Sequence, residues 1–177
     1  DLIGAMLKAS VPVINAGQGV LYAAATDELV EFAELVNIPV MTTLTGKSAF
    51  PENHRLALGT GAASDNLKIH RFLTRADLVL GMSTSFTISN FNSPMPKGVP
   101  LAQSTNCPED LNKDYRVSYG AIGDARVVLR QLIEEVKRQT GEHGRGDVNG
   151  VADDIRKIKA EWLAEWAPRF DSDEVPI

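Results

Sequence analysis

Short apolar runs alternate along this chain with stretches of helical spacing. Residues 11–16 (VPVINA) form the first run, which ends in Gly17-Gln18-Gly19. Its length and its glycines predict a buried strand followed by a tight turn. Leu29, Phe32, Ala33 and Val36 then recur every three or four positions and make one apolar helix face. Thr26 stands where an N-cap would, with Asp27 and Glu28 in the first turn. Pro39 closes that helix and opens a strand over residues 40–43. The same reading gives a short strand at 56–59, a helix at 64–74 anchored by Leu67, Phe72 and Leu73, and a buried strand at 78–82. Residues 83–100 carry Pro94, Pro96 and Pro100 among many Ser, Thr and Asn, and read as irregular. Strands follow at 99–102 and 119–122. Residues 2–9 read as a helix at the start of the chain.

Asp124 precedes a strong helix whose face is Val128, Leu129, Leu132, Ile133 and Val136. Strands alternating with helices of this size predict an α/β fold: a doubly wound, mostly parallel six-stranded sheet flanked by helices. Residues 1–138 make up this domain. Residues 139–150 (QTGEHGRGDVNG) hold four glycines and read as a flexible linker. In residues 151–177, Val151, Ile155, Ile158, Trp162 and Trp166 form an apolar stripe on a last helix, which is expected to dock.

Composition narrows the function classes. The 177 residues carry a net charge of −5 and no Lys/Arg run, which argues against nucleic acid as a partner. No apolar run approaches the roughly 20 residues that span a bilayer, so no membrane segment is expected. The single Cys107 excludes an intrachain disulfide and fits a reducing, cytoplasmic compartment. The chain opens on Asp1 and stops after Val175-Pro176-Ile177, and both ends read as cuts in a longer polypeptide.

Candidate chemistry is sparse. Gly17 and Gly19 follow a strand as a dinucleotide fingerprint would, but Tyr22 occupies the third glycine's place. A strand-end turn is the favoured reading. The weaker alternative is a nucleotide pocket, holding ADP, at Gly17 and Gly19 and touching Thr43 and Gly81. Gly46-Lys47-Ser48 resembles the end of a phosphate-binding loop, but Met41 stands where its first glycine should be. His54, His70 and His143 are scattered, read as solvated surface, and give no metal-ligand spacing. Cys107 has no sequence-local base. Arg145-Gly146-Asp147 is a chance tripeptide. Glu134-Glu135, Asp153-Asp154 and the acids of 171–174 read as solvated faces.

Several dispersed segments resemble the central domain of thiamine-diphosphate-dependent enzymes of the acetolactate synthase-like group. They are Ala16-Gly17-Gln18-Gly19-Val20, Ile38-Pro39-Val40, Thr43-Leu44-Thr45-Gly46-Lys47 with Phe50-Pro51 and His54, and Ala76-Asp77-Leu78-Val79-Leu80. Asn112-Lys113-Asp114-Tyr115 and Gly123-Asp124-Ala125 complete the series. The resemblance implies a central structural domain, itself inert, of an enzyme acting on 2-keto acids. Thiamine diphosphate and Mg2+ would be bound by domains absent here. It further implies contacts with those other domains of the same polypeptide, a homo-oligomer, and a tail that leads toward a pyrophosphate-binding domain.

Some relatives bind FAD in this domain, and one subgroup binds ADP. Residues 83–89 (STSFTIS) lack the arginines of the flavin-binding pattern, and Thr105-Asn106-Cys107-Pro108 lacks its carboxylates. The Gly-Met-His-Gly region of those relatives becomes Ala62-Ala63-Ser64-Asp65. FAD is therefore not expected to bind tightly. The alternatives are a nucleotide-binding central domain (ADP, CoA or FAD) and, from another class, a stand-alone dinucleotide-binding module.

Overall fold

The computed structural model describes residues 2–62 and 66–174. The expected helix start at Ser64, the Ala63-Ser64-Asp65 stretch and the final Val175-Pro176-Ile177 lie outside the described residues. Six strands form one sheet: β1 (Pro12–Ala16), β2 (Val40–Thr42), β3 (Ala57–Thr60), β4 (Leu78–Met82), β5 (Leu101–Thr105) and β6 (Tyr119–Ile122). Their order is β3-β2-β1-β4-β5-β6 and every pairing is parallel. The helices are α1 (Leu2–Lys8), α2 (Gly19–Tyr22), α3 (Thr26–Val36), α4 (Leu67–Leu73), α5 (Ala125–Thr140) and α6 (Val151–Phe170).

The strands sort their side chains to two cores with a period of two. Ile14, Ala16, Leu80, Met82 and Ala102 join Phe32, Leu29, Leu129 and Ile133 of α3 and α5 on one face. Val13, Met41, Val79 and Leu101 join Ile69 and Phe72 of α4 and Ile155 and Ile158 of α6 on the other. Both faces of the sheet are thus covered, which is why β1, β2 and β4 are buried along their whole length. Glu28 fixes α3 against α5 by pairing with Arg126 at 3.3 Å and Arg130 at 3.0 Å.

Several sequence expectations are corrected. Thr26 is the first residue of α3, not its cap. Ala25 holds the cap position, and its carbonyl already accepts the first helical bond from Leu29. Alanine has no side-chain acceptor, so α3 starts without a side-chain cap. Asp124 does cap α5, its Oδ1 accepting from Arg126 N at 3.0 Å and Val127 N at 3.2 Å. The strand placed at 99–102 is β5, which starts two residues later and ends three residues later. Gln103, Ser104 and Thr105 are polar yet buried, so the apolar run stopped short of the strand. α5 continues through Thr140, two residues into the stretch read as a linker.

The rest of that glycine-rich stretch is tied to the body. Arg145 N donates to Leu35 O at 2.8 Å, and the Arg145 guanidinium bonds the Ala9 carbonyl. Asn37 Nδ2 donates to Asp147 Oδ1 at 2.9 Å, and Asn149 Nδ2 to Ser10 O at 2.9 Å. Arg145 and Asp147 therefore act within the fold. α6 docks through buried Ile155 and Ile158, pairs with α4 through Arg71–Glu161 at 2.7 Å, and pairs with the turn after α4 through Arg75–Asp154 at 3.0 Å. Its outer half carries Trp162 and Trp166 half-buried, their rings stacked at 6.0 Å.

Candidate functional site: the crevice at the strand ends

Between β1 and β4 the strand order reverses direction, and a crevice opens outside their carboxyl ends, where ligands bind in open α/β sheets. It encloses about 440 Å³. Gly17, Gly19 and Thr43 line it, together with loop residues 83–85 and the start of the turn after β5. Gly81 does not line it. A side chain on Gly81 would fall 2.4 Å from the Phe86 ring, so that ring takes its place.

The glycines serve loop packing. A Cβ on Gly17 would lie 2.2 Å from the Ser83 carbonyl oxygen, and one on Gly46 would lie 2.7 Å from that of Ala16. Gly17 N donates to Met82 O at 2.8 Å, and Gly19 N to Ser83 O at 3.3 Å. In a dinucleotide fold such amides face the pyrophosphate. Here both are spent on the neighbouring loop. Gln103 locks the crevice from below, its Nε2 donating to Thr84 O and Asp110 O, both at 3.0 Å. Sequence reading missed this side chain because it lies beyond the apolar run of β5.

The charge at the crevice is wrong for a diphosphate. Among the described residues, Asp110 is the acid on its wall and no Lys or Arg lines it, while Lys113 Nζ stands 3.8 Å from Asp110 Oδ1. Among the described residues, no group of three His, Cys, Asp or Glu could hold a metal ion. These residues do not fit thiamine diphosphate or its metal. Cys107 donates its thiol to Glu109 Oε2 at 3.0 Å, and that bond pushes the thiol above its ordinary value, away from the reactive thiolate.

His54 is not the solvated residue its position in the sequence implied. Its side chain is 16% exposed, with Nε2 3.1 Å from Glu34 Oε1. Nδ1 accepts from Leu56 N at 3.2 Å, and the ring meets Phe50 edge-on at 4.8 Å. These contacts pin the Phe50-Pro51 turn to α3. His70 and His143 are exposed.

An all-parallel, doubly wound sheet with a hydroxyl-lined crevice at its switch point defines the class: a Rossmann-like α/β domain. Residues 1–132 match the family described as the thiamine pyrophosphate enzyme, central domain, and the chain belongs to that family. It is 30% identical over 157 residues to the acetolactate synthase large subunit of Corynebacterium glutamicum, covering 88% of this chain and 25% of that protein. Over 173 residues it is 27% identical to a protein of Methanococcus aeolicus named "Probable acetolactate synthase large subunit", covering 94% of this chain and 28% of the relative. A solved structure from Mycobacterium smegmatis, described as a thiamin diphosphate-dependent enzyme, superposes with a TM-score of 0.62 at 26% identity. That match covers 75% of this chain and 26% of the other. The chain thus spans about a quarter of the length of the relatives it matches. Among the described residues, no helix is long and apolar enough to cross a membrane.

Proposed function

We propose that this domain is the non-catalytic scaffold of a thiamine-diphosphate-dependent enzyme that acts on 2-keto acids, of the acetolactate synthase type. It tethers the two cofactor-binding domains of a longer polypeptide and contributes surface to a cytoplasmic homo-oligomer. Thiamine diphosphate and Mg2+ are held by those other domains, and the cofactor carries the chemistry. One observation supports this reading above the rest: the amides of Gly17 and Gly19, which would cradle a phosphate, are bonded to the carbonyls of Met82 and Ser83.

The test compares two proteins. The 177-residue chain and the full reading frame that contains it are each incubated with thiamine diphosphate, magnesium and pyruvate. Carbon dioxide release by the longer protein alone is the expected result. Turnover by the 177-residue chain would refute the scaffold reading.

A further inference from the structure

A cavity of about 210 Å³ opens at the edge of the sheet, between β3, α4 and α6. It lies on the face covered by α4 and α6, and among the described residues it shares no lining residue with the crevice at the switch point. Leu58, Leu67 and Trp162 form its apolar wall, and Lys68 and Lys159 bring two like charges to it.

The edge strand is irregular here. Val40 pairs with Ala57 and Met41 with Gly59, so Leu58 is an extra residue, a bulge in β3. Gly59 follows at φ +98°, a backbone setting open to glycine. Bulges at sheet edges re-aim side chains and often border binding sites. Asn66 holds this one in place, its Nδ2 donating to Leu58 O at 3.1 Å and its Oδ1 accepting from Ile69 N at 3.1 Å.

Lys68 is half-buried, whereas Lys159 is exposed. Lys68 Nζ donates to Ala57 O at 3.1 Å, which uses one of its hydrogens. Burial, and then the charge of Lys159, push its ammonium below the ordinary 10.5. Glu52 acts in the other direction as the smallest of the three causes, and its own carboxylate meets Lys47 at 3.9 Å. Asp154 and Glu161 of α6 are committed to Arg75 and Arg71. Among the described residues, no acid lines the cavity.

Two ammonium groups beside an apolar wall repel each other more strongly than in open water. An anion between them removes that repulsion and gains charge-assisted hydrogen bonds. An apolar body on the anion then lies along Leu58, Leu67 and the indole of Trp162.

We propose that this cavity binds a small organic anion, its carboxylate or phosphate head held by Lys68 and Lys159 and its flat apolar body resting against Trp162. The site stands apart from the crevice and does not depend on the scaffold reading.

NMR titration of the nitrogen-15-labelled 177-residue chain tests it. The probes are phenylacetate, phenyl phosphate, phenylacetamide and acetate, and the signals are the Gly59 and Leu67 amides and the Trp162 indole. Phenylacetate or phenyl phosphate is expected to bind several-fold tighter than phenylacetamide, which lacks the charge, and than acetate, which lacks the ring. The tighter of the two anions identifies the head, and equal binding shows that the site reads charge and ring alone. Lys159→Gln is expected to weaken the bound anion several-fold, and because Lys159 is exposed the variant keeps its fold by circular dichroism. Lys68→Met, which retains the apolar stem, is expected to do the same. Phenylacetamide or acetate binding as tightly as the two ring anions, an unchanged affinity in Lys159→Gln, or no shift of these signals overturns the proposal.

Discussion

Gly17 and Ser83 approach so closely that a methyl group on the first would sit 2.2 Å from the carbonyl oxygen of the second. The contact joins the loop after β1 to the loop after β4 at the switch point of the sheet. Gly17 does not have a positive φ, so its glycine is required by space and not by backbone conformation. Gly17→Ala is expected to destabilise the domain by about 1–3 kcal/mol through overpacking. Gly120→Ala serves as the control, since a Cβ there would meet only the flexible end of Leu111 at 3.3 Å. Urea unfolding of both variants checks this, and equal midpoints would show that the loops separate freely.

The Asp124 carboxylate accepts from two backbone amides at the start of α5. Asp124→Ala is expected to cost about 0.5–2 kcal/mol, the usual range for a lost side-chain cap. Asp124→Asn should recover most of it, because an amide oxygen also accepts. A chemical denaturation series of the three proteins measures the difference.

α6 is held by its isoleucines more than by its indoles. Ile158 is 2% exposed, whereas Trp162 and Trp166 are only half-buried and stack on each other. Ile158→Ala is expected to lose about 2–5 kcal/mol. The double variant Trp162→Ala, Trp166→Ala should lose less, chiefly aromatic stacking of about 0.5–1.5 kcal/mol. Circular dichroism follows both without relying on tryptophan. A larger loss in the double variant would place the docking energy on the indoles.

Glu135 carries a pH signature. Hydrogen bonds from Arg138 and then Gln139 hold its carboxyl at about 2, well below its ordinary 4.5. A depressed carboxyl contributes stability that is present above its unfolded value and is lost as pH falls through the folded one. The last turn of α5 is therefore expected to loosen between pH 4.5 and about 2. The pair is exposed, so the effect is local and small. Carbon-detected NMR titration of the Glu135 carboxyl is the measurement. In Arg138→Ala the midpoint should climb back toward 4.5, and an unmoved midpoint would remove Arg138 as the cause.

The elements that declared themselves in the sequence are those with a single periodicity. α3 and α5 show one apolar stripe each, and β1 and β4 are short, mostly apolar runs. β5 hid because Gln103 and Ser104 are buried polar residues. Gln103 is held there by its Nε2 bonds to the carbonyls of Thr84 and Asp110. The short α2 escaped notice because one turn has too few residues to show a period. His54 looked like surface because its carboxylate partner, Glu34, lies twenty positions away in α3.

The sequence by itself determined the fold class, the family resemblance and the missing charges around the crevice, because these depend on residue type and spacing along the chain. Only the tertiary structure decided what the glycines are for. A Gly-Gln-Gly turn after a strand can free its amides for a phosphate or give them to a neighbouring loop, and the two uses read alike in sequence. The Gly17 and Gly19 amides went to Met82 and Ser83, residues more than sixty positions away, because parallel pairing of β1 with β4 brings those carbonyls within 3.3 Å. The same pairing set Asn15, a polar residue inside β1, opposite Gly81 of β4 and buried at 4% exposure.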